Sequence, residues 1–204
     1  MEQDSQKRES TDDRRAAIAA AARDLIVEKG LEGLRTRDIA ARVGINIATL
    51  HYHVPSKEAL IALVAQSIKD EFRAQGLARS RQGKNGIEML HMEFEDALES
   101  QEEAPERIAV MAELVERARR DPAIAAIMLP MRAHWHGLLA AMFQQGAADG
   151  TLRADIDPDA AAHIFIGMIA GTRSIKTNRD HMIAVFAEFE RAFAARPHTV
   201  PEVN

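Results

Sequence analysis

The chain has 204 residues and no cysteine, which excludes disulfides, thiolate metal sites and a cysteine nucleophile. Its 26 lysine and arginine residues are outnumbered by 31 aspartate and glutamate residues, and this net charge of −5 argues against general binding to nucleic acid. The first ten residues are polar and no apolar run approaches the roughly 20 residues of a membrane span, so we expect a cytoplasmic protein that has no membrane partner.

Apolar side chains at helical spacing predict four helices in the first part of the chain. Each predicted helix begins after a side chain that can cap it or ends at a glycine or proline that stops it. The four helices are expected over about residues 12–29, 36–43, 47–53 and 57–73. Their predicted N-caps, where the sequence offers one, are Thr36, Asn46 and Ser56.

Five further helices are predicted after a polar connection at residues 76–86. They are separated by prolines, glycines and asparagine, which interrupt helices. Their expected ranges are about 87–102, 105–120, 123–148, 158–177 and 180–195. With few aromatic residues and no alternating β-branched run, the chain is predicted to be all-α, with about nine helices.

The third predicted helix, IATLHYH, presents two different sides on a helical wheel with 100° per residue. Ile47, Leu50 and Val54 lie on the apolar side, and His51 borders it. The opposite side carries Ala48, Thr49, Tyr52 and His53. Because residues two apart on a helix diverge, His51 and His53 are not expected to share a metal ion.

The segment LRTRDIAARVGINIATLHYHVPSKEALIALV, residues 34–64, resembles the DNA-binding signature of the TetR family of one-component transcriptional repressors. The shared features are a hydroxylic cap, an IA-containing second helix, a glycine turn, a TLHYH recognition helix and an SKEAL start to the fourth helix. The resemblance implies an N-terminal three-helix domain with a helix-turn-helix, joined by a fourth helix to a C-terminal helical domain for ligand binding and dimerisation. The implied domains are residues 1–55, with the helix-turn-helix at about 35–54, and residues 56–204.

The resemblance also implies which residues contact DNA. Arg37 is expected to contact a guanine, and Lys57 a phosphate beside the positive end of the fourth helix. Ile47 stands where the family often has a polar residue, so a thymine methyl is its expected contact, and His51 replaces the usual tyrosine. The full predicted set is Thr36, Arg37, Ile47, Ala48, Thr49, His51, Tyr52, His53 and Lys57.

A homodimer is expected because one helix-turn-helix contacts only a half-site, whereas a palindromic operator needs two-fold symmetry. The last helix carries a phenylalanine-rich seam at steps of four, three and four residues, and the helix before it offers small residues for close approach. The predicted interface is Ala162, Phe165, Ile166, Ile169, Met182, Phe186, Phe189 and Phe193. The alternative is that the seam packs only inside its own subunit.

Methionines in the middle helices predict an adaptable pocket for a small apolar or amphipathic effector of unknown identity. The alternative is that they form ordinary core. The predicted pocket residues are Met89, Met92, Met111, Met128, Met131, Trp135, Phe165 and Met168. No cofactor, catalytic residue or metal ligand is predicted.

The sequence therefore predicts a dimeric DNA-binding repressor that an inducer releases from its operator. One alternative is a helical metal-dependent or acid/base enzyme using His134, His136 and the acids of residues 149–159, but HExxH, a phosphate loop and GxSxG are absent. Another is a protein–protein module with a merely structural helix-turn-helix. His134 and His136 are two residues apart and diverge, so they and His163 are interpreted as ordinary polar or core histidines.

Overall fold

The computed structural model describes residues 2–174 and 178–195, and within these ranges the chain forms nine helices. They are α1 (Glu2–Gly33), α2 (Thr36–Val43), α3 (Ile47–His53), α4 (Lys57–Ala78), α5 (Gly86–Glu103), α6 (Pro105–Ala118), α7 (Pro122–Asp149), α8 (Pro158–Ser174) and α9 (Arg179–Phe193). The described residues outside the helices include one isolated antiparallel bridge between Leu152 and Ala194. The prediction of an all-α fold with about nine helices is confirmed.

Local capping explains most helix starts. The side chain of Asn46 accepts a hydrogen bond from the backbone N–H of Thr49 at 2.7 Å, and the Ser56 hydroxyl accepts one from Ala59 at 3.1 Å. The prediction that Thr36 caps α2 is wrong. Arg35 is the last extended residue, with φ −124° and ψ 133°, so Thr36 already lies in the first turn and no side chain caps this helix.

Two compact units can be distinguished, and the first comprises residues 1–77 and 103–131. Here α1 packs against α2 and α6, and α2 against α3. Fully buried aliphatic side chains from these helices and from α4 form one core, including Ile18, Leu25, Ile39, Leu50 and Ile61. The core therefore holds the segment that resembles a helix-turn-helix on a packed support of longer helices.

The second unit comprises residues 78–102 and 132–204. Its core contains a cluster of phenylalanine rings whose centroids lie 4.5 to 6.5 Å apart, formed by Phe143, Phe165, Phe186, Phe189 and Phe193. At the start of α5, a Cβ on Gly86 would lie 2.2 Å from the Cα of Gly146 on α7, so this close approach requires glycine.

The boundary predicted after residue 55, between a DNA-binding domain and a domain for ligand binding and dimerisation, stays a prediction. In the part of the chain that the structure describes, no helix combines the length and the apolar character needed to cross a membrane.

Candidate nucleic-acid interface

A short turn sets the direction of α3 relative to α2. Gly44 ends α2 with φ 74°, a left-handed conformation that glycine adopts without a Cβ penalty. The N–H of Gly44 donates to the Ala41 carbonyl at 3.3 Å, and the N–H of Ile45 donates to the Ala40 carbonyl at 2.9 Å. Asn46 then caps α3 directly, so the two helices are joined by three residues, the spacing of a helix-turn-helix.

Two side chains and one hydrogen bond fix α3 on the core. Leu50 and Val54 are buried with the apolar residues of α1, α2 and α4. At the C-terminal end of α3, the Arg15 guanidinium donates to the carbonyl of His53 at 3.0 Å. This contact satisfies a carbonyl that the end of the helix leaves without a backbone partner. Half-buried Arg15 on α1 thus supports the C-terminal end of α3.

The helical wheel placed two residues of α3 on or beside the buried side, whereas the structure exposes them. Ile47, placed on the apolar side, is 49% exposed, and His51, placed at the border of the buried side, is exposed. The reason is that only Leu50 and Val54 reach the core, and the first turn of this seven-residue helix extends past its edge. His53 is half-buried, and its ring meets the Tyr52 ring edge-on with centroids 5.1 Å apart.

The nine predicted DNA contacts divide by exposure. Exposed are Arg37, Ile47, Ala48, His51, Tyr52 and Lys57, whereas Thr36, Thr49 and His53 are half-buried. Tyr52 is 81% exposed, an unusual position for a large aromatic ring. The exposed part of α3 therefore offers a phenol, an imidazole, a branched alkyl group and a small residue that allows close approach.

The cations around α2 and α3 have two different roles. Arg42 donates two hydrogen bonds of 2.9 Å to the Glu28 carboxylate on α1. This bonding holds the pKa of Glu28 below its ordinary value and raises that of Arg42. Arg35 donates to the backbone carbonyl of Glu32 at 2.6 Å. Both arginines therefore connect elements of the unit to each other.

Arg37 and Lys57 extend into solvent instead. The Arg37 side chain is 79% exposed, and its Nε lies 3.6 Å from a carboxylate oxygen of Asp38. The nearer partner of Asp38 is Lys29, whose ammonium donates to it at 2.9 Å and lowers the pKa of Asp38. Lys57 is exposed at the first position of α4, where the helix dipole adds positive potential. One cation on α2 and one on α4 therefore remain accessible to an anionic partner.

The residues predicted to line an effector pocket lie in two different cores. Met111, Met128 and Met131 pack in the first unit. Met89, Trp135, Phe165 and Met168 belong to the core of the second unit, where Met92 is half-buried. The Trp135 indole donates to the Glu93 carboxylate at 3.0 Å, and Glu93 also pairs with Arg81. The sequence interpretation missed this polar group beside Trp135, and the effector pocket itself stays a prediction.

The predicted interface residues are buried inside a single chain. All eight, from Ala162 to Phe193, belong to the core of the second unit, so the seam packs within its own subunit. That they also contact a partner chain stays a prediction. The large exposed apolar side chains on α8 and α9 are instead Ile164 and Ile183.

Comparison with known proteins gives two family matches. Residues 18–64 match the model of bacterial regulatory proteins of the tetR family, and residues 86–189 match the C-terminal model of the BetI-type transcriptional repressor. The HTH-type transcriptional regulator UidR of Escherichia coli K12 is 29% identical over 145 residues, covering 71% of this chain and 70% of UidR.

Solved structures share the fold at low sequence identity. A putative transcriptional regulator from Saccharomonospora viridis in complex with choline superimposes with a TM-score of 0.79 at 24% identity, covering 91% of this chain and all (100%) of that one. The regulator AibR in complex with isovaleryl coenzyme A and operator DNA gives a TM-score of 0.72 at 24% identity, covering 90% and 100% of the two chains.

Proposed function

Because the chain belongs to the TetR family of DNA-binding transcriptional regulators, we propose that it is a repressor that binds a palindromic operator as a homodimer in the cytoplasm and is released by a small effector. The observation that carries the proposal is the geometry of α3. This helix follows a three-residue turn, is capped by Asn46, is anchored by Leu50 and leaves its opposite face in solvent.

In this proposal α3 lies in the major groove, led by its N-terminal residues. The exposed Ile47 packs against a thymine methyl, and the Tyr52 hydroxyl donates to a phosphate oxygen. Arg37, at the start of α2, donates to the O6 and N7 of a guanine. Lys57 binds a phosphate at the start of α4. Base contacts then give sequence preference, and phosphate contacts give affinity that depends on salt.

Homodimerisation is proposed through the outer faces of α8 and α9. Ile164 and Ile183 are exposed there, and Gly167 is exposed on α8, three residues after Ile164. Exposed branched side chains next to a residue without a side chain suit close packing against another helix. Replacement of both isoleucines by lysine should convert the dimer to a monomer in sedimentation experiments, with the α-helical circular dichroism retained.

The effector site is proposed in the second unit, beside Trp135. Phe165 and Met89 belong to the core against which Trp135 packs and supply apolar surface, and Glu93 provides a charged group bonded to the indole. A choline complex and an isovaleryl coenzyme A complex among the structural neighbours support the general idea of a small-molecule effector. Binding that differs between the DNA-competent and released arrangements would change operator affinity without any chemical reaction.

Selection of operator sequences from a random DNA library tests the proposal. The wild-type protein should enrich one palindromic sequence, with half-sites about 34–36 Å apart. Arg37→Ala should enrich a relaxed sequence, degenerate at one base pair of each half-site, because the guanine contact is lost. The matched control is Arg120→Ala, since Arg120 is 80% exposed in the same unit, against 79% for Arg37.

Two results would contradict the proposal. The first is that the wild-type protein enriches no sequence, as expected for an enzyme or for a protein–protein module. The second is that Arg37→Ala and Arg120→Ala both enrich the wild-type sequence unchanged. Operator affinity measured against candidate effectors then tests release separately, with Trp135→Leu as the variant that should lose the response while retaining DNA binding.

A further inference from the structure

Two histidines and an aspartate from different helices meet on the surface of the second unit. His136 lies on α7, and Asp159 and His163 lie one turn apart on α8. The Nε2 of His136 is 2.9 Å from the Nδ1 of His163. The carboxylate oxygens of Asp159 lie 3.5 Å from the first nitrogen and 3.7 Å from the second. One ligand atom from each residue thus converges on the same small volume.

Such a short nitrogen–nitrogen distance restricts the hydrogens that the two rings can carry. Two N–H groups pointing at each other would clash, so at least one imidazole presents a lone pair to the cluster. Both nitrogens also approach the Asp159 carbonyl oxygen, at 3.3 Å for His136 and 3.0 Å for His163. The other ring can donate an N–H to this lone pair, and a shared metal ion can take the place of that hydrogen.

The separations are also close to those between ligands of one metal ion. With Zn–N bonds of about 2.05 Å and a tetrahedral angle, two nitrogen ligands lie about 3.3 Å apart. The observed nitrogen–nitrogen and nitrogen–oxygen separations bracket this value, from 2.9 to 3.7 Å. Rotation of the exposed Asp159 and His163 side chains would place one ligand atom of each residue around one ion.

The local structure holds the ligands in position. Asp157 caps the start of α8 by accepting hydrogen bonds from the N–H groups of Asp159 at 3.0 Å and Ala160 at 3.2 Å. Close to the ligands in sequence, Ala162 on α8 and Leu139 on α7 are fully buried in one core. The spacing of the two helices is therefore fixed by packing that does not depend on the three polar side chains.

We propose that His136, His163 and Asp159 bind one divalent transition-metal ion of the zinc class. Two imidazoles and one carboxylate suit zinc, nickel or copper, whereas magnesium and calcium prefer all-oxygen sites. The His136 side chain is only 18% exposed, while those of His163 and Asp159 are 60% and 74% exposed. The open side leaves a fourth position for water or an exogenous ligand. The ion would join α7 to α8 across 27 residues of chain.

Titration of the metal-free full-length protein with zinc chloride by isothermal calorimetry tests the proposal, in the absence of DNA. One zinc ion should bind per chain. Loss of second-shell groups alone weakens metal sites about 10–100-fold, so His136→Ala and His163→Ala should each weaken binding by at least about tenfold. His134→Ala is the matched control, since His134 is exposed on the same helix outside the cluster and should leave the affinity unchanged.

Asp159→Asn provides a second variant, because this exposed side chain can lose its charge without disturbing the core. It should also weaken zinc binding, and zinc but not magnesium should raise the melting temperature of the wild-type protein. The proposal is overturned if no zinc binds, if the two histidine variants retain the wild-type affinity, or if His134→Ala removes the same binding event. Circular dichroism confirms that each variant is folded. Since DNA is not involved, this result is independent of the proposed repressor function.

Discussion

The salt dependence of operator binding should reveal whether Lys57 neutralises a phosphate. Lys57 is exposed at the first position of α4, directly after the Ser56 cap, where helix dipole and ammonium charge act together. Each phosphate neutralised by a protein cation contributes about −0.9 to the slope of log affinity against log salt concentration. A dimer presents two copies of Lys57, so Lys57→Ala should make the slope shallower by about 1.8.

This change in slope is large enough to measure by fluorescence anisotropy. When salt rises fourfold, from about 50 to 200 mM, a slope difference of about 1.8 changes the ratio of the two affinities by about 4 to the power 1.8, or about twelvefold. The advantage of the wild-type protein over Lys57→Ala should therefore shrink about twelvefold over this range. The effect should be the same on the operator and on a scrambled duplex, because a phosphate carries no sequence information.

Lys69→Ala is the matched control for this experiment. Lys69 is also exposed on α4, but it lies twelve residues further along, or about 18 Å at 1.5 Å per residue. Its removal lowers the net charge equally without removing a proposed contact. Equal slopes for Lys57→Ala and the wild-type protein, or equal losses in both lysine variants, would refute the assignment of Lys57 to a phosphate.

Three further predictions concern α2, α3 and the contacts that hold them. Asn46→Ala should cost about 1 kcal/mol and raise hydrogen exchange in α3 about fivefold, while Asn178→Ala, which removes the same type of cap from α9, should affect only α9. Gly44→Ala should lower the free energy of unfolding by about 1–2 kcal/mol, measured by urea denaturation, from left-handed strain alone, because no atom lies within 4 Å of an added Cβ. Hydrogen bonding from Arg42 keeps the pKa of Glu28 in the folded protein below the ordinary value of 4.5. The ionised Glu28 carboxylate therefore stabilises the fold fully above pH 4.5, and this contribution is lost as the pH falls through the pKa of the folded state. Glu28→Gln should therefore flatten the acid side of a profile of melting temperature against pH.

Helix positions could be predicted from sequence because local interactions set them. Asn46 and Ser56 cap the helices that follow, and Gly44 ends the helix before it, all through contacts within a few residues. Thr36 was the exception. A threonine just before an apolar pattern is a good cap candidate, but whether it lies outside the helix or in its first turn depends on one backbone torsion at Arg35.

Contacts between helices could not be predicted in the same way. The spacing of His134 and His136 excludes chelation within one helix, yet it says nothing about residues on another helix. His136 meets His163 because α7 and α8 pack together, and the chain distance between them carries no signal of this. Likewise, the hydrophobic pattern cannot assign methionines such as Met111 and Met168 to one core or to two.

Exposure adds the functional information that hydrophobicity alone lacks. The phenylalanine seam of α9 is strongly apolar, but it is already buried in its own subunit and has little area to offer a partner. Ile47 and Tyr52 in the first unit, and Ile164 and Ile183 in the second, are large apolar residues left in water. Single exposed apolar residues are common, but each of these pairs lies on helices that a dimeric repressor would use for operator and partner. The exposed residues, rather than the most hydrophobic ones, therefore mark the surfaces where substitution should change binding and spare folding.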